Sequence, residues 1–318
     1  MTDKTWRRWS NAVLVSIVAG ASFTSSQPAL AWGAAGHRII AAIAWENLQP
    51  GPRDEVTSLL RKHPEHDRWM RRPGRSDNAR KVFVEASTWA DEIRQDTRFY
   101  SAGKNGPTPT LPGFPDMERR DDWHYVNIPL NGPPDGRRLS GQIERSLPEL
   151  ARTLAVSSDD HERAYALPWL IHLVGDAHQP LHTSARMNAQ RKWEKGGNSR
   201  KINNPFNSRK PLTTLHAFWD DLPGPPWLRG ERLDRAVRAL LATYSRPIPG
   251  TSSGQWIIES WTLARDHAYP PGTEPVPEIT PAFYENSREI ANRRITEAGY
   301  RLADLLNRTL DPQGPAQR

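Results

Sequence analysis

The chain has 318 residues, 43 Lys and Arg against 36 Asp and Glu, a formal charge of +7 and no Cys. That length suits one large domain or two small ones, with ample material for a core. Without Cys there are no disulfides, thiolate metal sites or cysteine nucleophiles, so packing or bound metal must hold the fold.

In chain order, residues 1–31 read as an export leader. Lys4, Arg7 and Arg8 give a positive start, Ala12 to Ala21 an apolar middle, and Ala29-x-Ala31 a small-residue cleavage site. A membrane anchor would need about 20 apolar residues, and polar ones intervene soon after Ala21. Cleavage makes Trp32 the new amino terminus. It takes three of the 43 basic residues and one of the 36 acidic ones, for a net charge of +5.

Helical signals dominate the chain from Trp32 onwards. "GHRIIAAIAWENL" spaces Ile39, Ile40, Ile43 and Leu48 as on one helix face. "SGQIERSLPELARTLAV" contains Pro148, which predicts a kinked or split helix. "HERAYALPWLIHLVGDAH" carries a long apolar face, and "ENSREIANRRITEAGYRLADLLNRTL" predicts a closing helix or helix pair. Residues 98–121 and 186–212 read as long loops rich in Gly, Pro or Asn, and segments with strand-like alternation are scarce. The second loop holds eight Lys or Arg between Arg186 and Lys210 against one acid, Glu194. With Trp193 and Phe206 interleaved, it reads as either a polyanion-facing surface or a plain solvated loop. The expectation is an all-α fold, with one domain over residues 32–318.

Five short segments carry the chemistry. In "LIHLVGDAHQPLH", His172 and Asp176 are four apart, so on a helix both can grip one ion. Their apolar neighbours make an uncompensated carboxylate costly. Pro180 ends or bends that helix, which lets His182 return to the same cavity, while His178 points away as a structural or supporting residue. "HAFWD" repeats the spacing with His216 and Asp220. "ASTWAD" contributes Asp91, "WHYVN" His124, and the opening "WGAAGH" His37. Imidazole and carboxylate without thiolate fit zinc in hydrolytic chemistry.

These segments, with "GGN" and "LHAFWD", resemble in order and character the zinc-dependent S1/P1 nuclease family, from Trp32 through the closing "AGYRLADLLN". The resemblance implies an all-helical fold shared with zinc-dependent phospholipase C, and three Zn2+ per chain. One ion would be held by Asp91, His124, His172 and Asp176. A second would take Trp32, through its free α-amino group and backbone carbonyl, with His37 and the bridging Asp176. The third would take His182, His216 and Asp220. Arg94 matches the family's basic position beside the phosphoryl oxygens, so Arg94, Asp91 and Asp176 are the expected catalytic residues. Tyr125 matches an aromatic that stacks on a base, and Asn198, with Gly196 and Gly197, a phosphate contact. Asn127 stands where fungal members carry Asp, so base preference does not transfer, and Glu194 stands where members often have Asp.

The resemblance further implies a secreted or periplasmic endonuclease acting on RNA and single-stranded DNA. Its products would be 5′-phosphorylated, with 3′-nucleotidase activity towards mononucleotides. It implies no stable protein partner and no membrane span after cleavage. The rivals are a zinc-dependent phospholipase C and a non-catalytic zinc-dependent nucleic-acid-binding protein. Asp220, where phospholipases use Glu, the "GGN" loop and the basic run disfavour the first. The complete ligand set disfavours the second.

Overall fold

The structure is a computed structural model and describes residues 32–73, 78–131, 137–188 and 190–311; the expected leader, residues 1–31, lies outside them. The described residues form eleven α-helices and two small sheets, which bears out the all-α expectation. The elements run α1 (Ala34–Asn47), α2 (Pro50–Lys62), α3 (His66–Met70), α4 (Asn78–Ala86), α5 (Trp89–Glu92) and β1 (Ile128–Pro129). Next come α6 (Ile143–Val156), α7 (Asp160–Ala177), β2 (Ser184–Ala185), β3 (Lys201–Asn203) and β4 (Leu212–Thr214). The chain closes with α8 (Leu215–Asp221), α9 (Gly230–Thr243), α10 (Ser253–His267) and α11 (Pro281–Thr309). Among the described residues no helix is long and apolar enough to cross a membrane.

α7 is the central element. Every residue from Ala164 to Ala177 is buried, and α1, α2, α5, α6, α10 and α11 pack around it. A helix apolar on all sides needs such enclosure. Asp159 caps its start by accepting the His161 N–H at 2.8 Å. α1 is buried from Ala35 to Trp45 and lies along α11.

Two sequence expectations change. Pro148 does not split its segment into two helices: α6 runs unbroken through it. Proline removes one backbone donor, and the face formed by Ile143, Leu147, Leu150 and Leu154 is buried along the whole helix, which offsets that loss. The 186–212 segment is also not plain loop, because Lys201–Asn203 pairs antiparallel with Leu212–Thr214. The closing segment is one helix, α11, begun by Pro281 and capped by Thr280, whose hydroxyl accepts the Phe283 N–H at 3.2 Å.

His63 is buried outside the site. His63 packs between Trp69, Trp89 and Phe114 and accepts the Glu65 N–H on Nδ1 at 3.1 Å. Burial pushes its pKa down to about 3, with His66 adding to the effect. The unfolded chain therefore binds a proton here that the folded chain refuses. This contribution to stability is complete above about pH 6.5 and is lost as pH falls towards 3, at about 1.4 kcal/mol per pH unit. His63→Asn keeps the acceptor and removes the titration. Its urea midpoint should fall less steeply than the wild type's between pH 6 and 4. Parallel curves would show that His63 does not titrate this way.

Candidate active site

The site forms where α1, α5, α7, α8 and the turn after α7 converge. His172 and Asp176 project from the buried α7, His37 from α1 and Asp91 from α5. The chain leaves α7 at Ala177 and re-enters through a tight helical turn, Pro180–Thr183, that carries His182. Pro180 thus does what its position predicts. His124 ends the turn that precedes β1. The Val126 N–H donates to the His182 carbonyl at 2.9 Å, and β1 pairs in parallel with β2 just beyond. α8 presents His216 and Asp220 one turn apart, and Thr214 caps it by accepting the Ala217 N–H.

The side chains collect into three groups of possible metal ligands, the first two sharing His172: His37, His172 and Asp176; Asp91, His124 and His172; His182, His216 and Asp220. Asp176, a member of the first, also touches the histidines of the second. Its Oδ1 lies 3.4 Å from His37 Nε2, and its Oδ2 lies 3.0 Å from His124 Nδ1 and 3.3 Å from His172 Nε2. Asp91 Oδ1 lies 3.7 Å from His172 Nε2 and 3.9 Å from His124 Nδ1. All eight of these residues are buried.

The hydrogen bonds behind the cluster fix which nitrogen each imidazole offers. His172 Nδ1 donates to the Ser87 carbonyl at 2.8 Å, His182 Nδ1 to the His124 carbonyl at 2.6 Å, and His216 Nδ1 to the Gly196 carbonyl at 2.6 Å. Each then turns Nε2 inward as a lone pair. The Nε2 atoms of His182 and His216 face each other at 3.1 Å. Two lone pairs at that distance repel unless a cation lies between them, which is how supporting hydrogen bonds prepare metal ligands. His37 Nδ1 and Nε2, His124 Nε2, Asp91 Oδ1, Asp176 Oδ1 and Asp220 Oδ2 are all buried without a hydrogen-bond partner. So many buried polar atoms without partners are costly, and divalent cations would satisfy the acceptors among them together. The donor set fits the metal that the sequence suggests.

The titration behaviour reflects the crowding. Burial, with His172 nearby, pushes His37 down to about 4, and burial with His182 nearby pushes His216 down to about 3. Burial also lifts Asp220 well above the carboxylate range, with Asp221, Asp91 and Asp176 adding to the lift against a hydrogen bond from Gln179. Asp176 goes the other way. Burial would raise it, but His172, His182 and His124 hold it well below its usual value. Burial would lower His172, but Asp176 and Asp91 outweigh it and raise the ring to about 9. A divalent ion competes for that proton.

Beside the clusters opens a cavity of about 250 Å³, lined by Arg94, Asp121, Tyr125, Asn127, Lys195 and Asn198 together with His124, His182 and His216. Arg94 is not an outward-facing helix residue. Its Nη1 stands 3.6 Å from Asp91 Oδ1 and its Nε 3.9 Å from Asp121 Oδ1. Tyr125 is half-buried on the cavity wall, not lost in the core. Asn127 donates Nδ2 to Ser140 Oγ at 2.9 Å, which orients the amide. Gly196 has φ +61, and a Cβ there would fall 2.1 Å from the Leu181 carbonyl oxygen, so only glycine brings this loop against the His216 ring. Gly197 is buried beside it. Trp32 is fully buried, and the Gly33 N–H donates to the Asp220 carbonyl at 2.9 Å, tying the segment to α8.

Other residues fall elsewhere. His178 turns away from the clusters as expected, donating Nδ1 to the Val174 carbonyl at 2.7 Å and accepting from Arg301 at 2.9 Å on Nε2. Part of the basic run is committed to the fold. Arg186 stacks over Tyr269, Arg200 donates to the Glu274 carbonyl, Arg209 lies over Trp227 and Phe206 stacks on Tyr284. Two residues of the site are missing from the sequence expectations. Gln179 donates to Asp220 Oδ1 at 2.8 Å and is visible inside "DAHQPLH"; Asp121 carries no sequence signal of its own.

Comparison with known proteins agrees with this geometry. The S1/P1 nuclease family pattern matches residues 32–311. Nuclease PA3 of a Penicillium species is 25% identical, over 87% of this chain and 97% of its own length. Nuclease P1 of Penicillium citrinum is also 25% identical, over the same shares of the two chains. Endonuclease 3 of Arabidopsis thaliana is 26% identical over 95% of each chain. A match to nearly all of the described residues, by a chain whose His and Asp residues gather into three buried metal-ligand groups, means that this chain belongs to the S1/P1 nuclease family.

Proposed function

We propose that this protein is a three-zinc endonuclease that hydrolyses RNA and single-stranded DNA to 5′-phosphorylated products and removes the phosphate of 3′-mononucleotides. The observation that carries the reading is the junction of three buried His and carboxylate groups with a cavity walled by Arg94, Tyr125 and Asn198. Asp91, His124, His172 and Asp176 would hold one ion, Trp32, His37 and Asp176 its neighbour, and His182, His216 and Asp220 the third. Bound there, the ions supply Lewis-acid charge and a water activated at neutral pH for in-line displacement at phosphorus.

The protein's own groups do the rest. Arg94 stands at the cavity wall to steady phosphoryl oxygens, and Asp91 and Asp121 hold its guanidinium in place. Tyr125 offers a face on which any base can stack, worth about 1–3 kcal/mol per base. Asn127, with its nitrogen given to Ser140, keeps its oxygen as the acceptor for a base edge. Asn198, Gly196 and Gly197 let the backbone approach a phosphate closely. An export leader over residues 1–31 would deliver the 32–318 domain to the periplasm or the exterior and free the amine of Trp32.

Digestion of RNA, single-stranded DNA, a 3′-mononucleotide and phosphatidylcholine side by side tests this reading. The first three should be hydrolysed, lose hydrolysis on chelation and regain it with zinc. Turnover of phosphatidylcholine alone would assign the site to phospholipids. Binding without turnover would make the protein a nucleic-acid-binding module.

A further inference from the structure

We infer that Lys195 is a substrate-binding residue that pairs with a phosphate of the nucleic-acid strand at the mouth of the cavity, on the side of the His182, His216 and Asp220 group. The inference rests on the nuclease reading of the site.

Two cations line the cavity, and they differ in how much of their charge is available. Arg94 is set against two carboxylates, Asp91 and Asp121. Lys195 is exposed and lines the same cavity, and its ammonium has no ion pair or hydrogen bond among the described residues. The adjacent acid, Glu194, is buried and faces Arg200 and Arg186 instead. An uncompensated ammonium at the mouth of a cavity is the natural point charge for a phosphate oxygen.

The backbone is also unusual at this residue. Lys195 has φ +44, in the left-handed region that residues with side chains seldom enter, and Gly196 and Gly197 come next at +61 and +74. The turn is held on both sides. Asn198 Nδ2 donates to the Lys195 carbonyl at 2.9 Å, and the next carbonyl, of Gly196, accepts from His216. Glycine would adopt this conformation freely, as it does at the next two positions. A strained lysine in a turn that also orients His216 is where backbone strain and substrate contact coincide. The rest of the basic run divides differently, since Arg186, Arg200 and Arg209 are engaged by Tyr269, Glu274 and Trp227.

The test uses the zinc-loaded protein and a short single-stranded DNA across a range of salt. Lys195→Gln should raise KM about five- to tenfold and change kcat less than twofold. It should also reduce the slope of log kcat/KM against log salt by about 0.7, the value for one phosphate contact on a single strand. Lys195→Arg should recover most of the KM and the slope because it keeps the charge. Lys195→Gly should show the glutamine variant's kinetics with an unchanged or higher melting temperature, since the strain is relieved. An unchanged KM and salt slope in Lys195→Gln overturns the assignment. So does an arginine variant as impaired as the glutamine one together with a lower melting temperature, which would make the residue structural. A wild-type protein inert towards single-stranded DNA and RNA would instead overturn the nuclease reading itself.

Discussion

Asp176→Asn should lower kcat/KM on the order of 10³-fold and remove two of the three proposed ions. Asp176 is fully buried at the meeting point of His37, His124 and His172. Asparagine keeps the shape but exchanges a charge and an acceptor for a donor aimed at lone pairs. Metal analysis should therefore fall from three ions towards one, retained by His182, His216 and Asp220. In the wild type, full chelation should lower the melting temperature by about 10 °C. Ligand at a thousandfold excess over Kd stabilises by about 4 kcal/mol, and large domains shift about 2–4 °C per kcal/mol. With no Cys in the chain, no disulfide cushions that loss. An Asp176→Asn protein that keeps three ions and its turnover would refute the shared-ligand arrangement.

One extra residue ahead of Trp32 should remove most turnover and one ion, leaving the fold intact. The proposed role of Trp32 needs a free amine, whose pKa near 7.7–8.0 lets a metal displace its proton around neutrality; a peptide nitrogen offers no such lone pair. The surroundings support this placement. The Trp32 ring is fully buried, Gly33 is bonded to the backbone of Asp220, and Ala34 shares a cavity with Asp91. Protein produced with a removable tag gives the comparison, before and after cleavage to Trp32, by metal content and activity. Equal activity in verified uncleaved material would show that the terminus is not a ligand.

Much of this protein was legible because it is local. A spacing of four places His172 with Asp176, and His216 with Asp220, on one helix face whatever surrounds them. The apolar periodicity of "GHRIIAAIAWENL" and of the long closing segment marked α1 and α11, because burial of one helix face is written at a fixed period. Pro180 announced the break that redirects His182. Other features depend on packing between distant segments, and no spacing encodes them. Pro148 reads as a break, yet α6 continues because its buried face is satisfied on both sides of the proline. Asp91 meets His172, and His124 meets Asp176, only because α5 packs on α7 and β1 pairs with β2. The inward nitrogen of each histidine is chosen by a backbone carbonyl far away in the chain: Ser87 for His172, His124 for His182 and Gly196 for His216. The basic run looked uniform, and tertiary contacts separated it into side chains spent on Tyr269, Glu274 and Trp227 and a lysine left facing the cavity. Residue types and their local periods determined which groups could carry the chemistry; long-range packing and hydrogen bonding decided which of their atoms face one another.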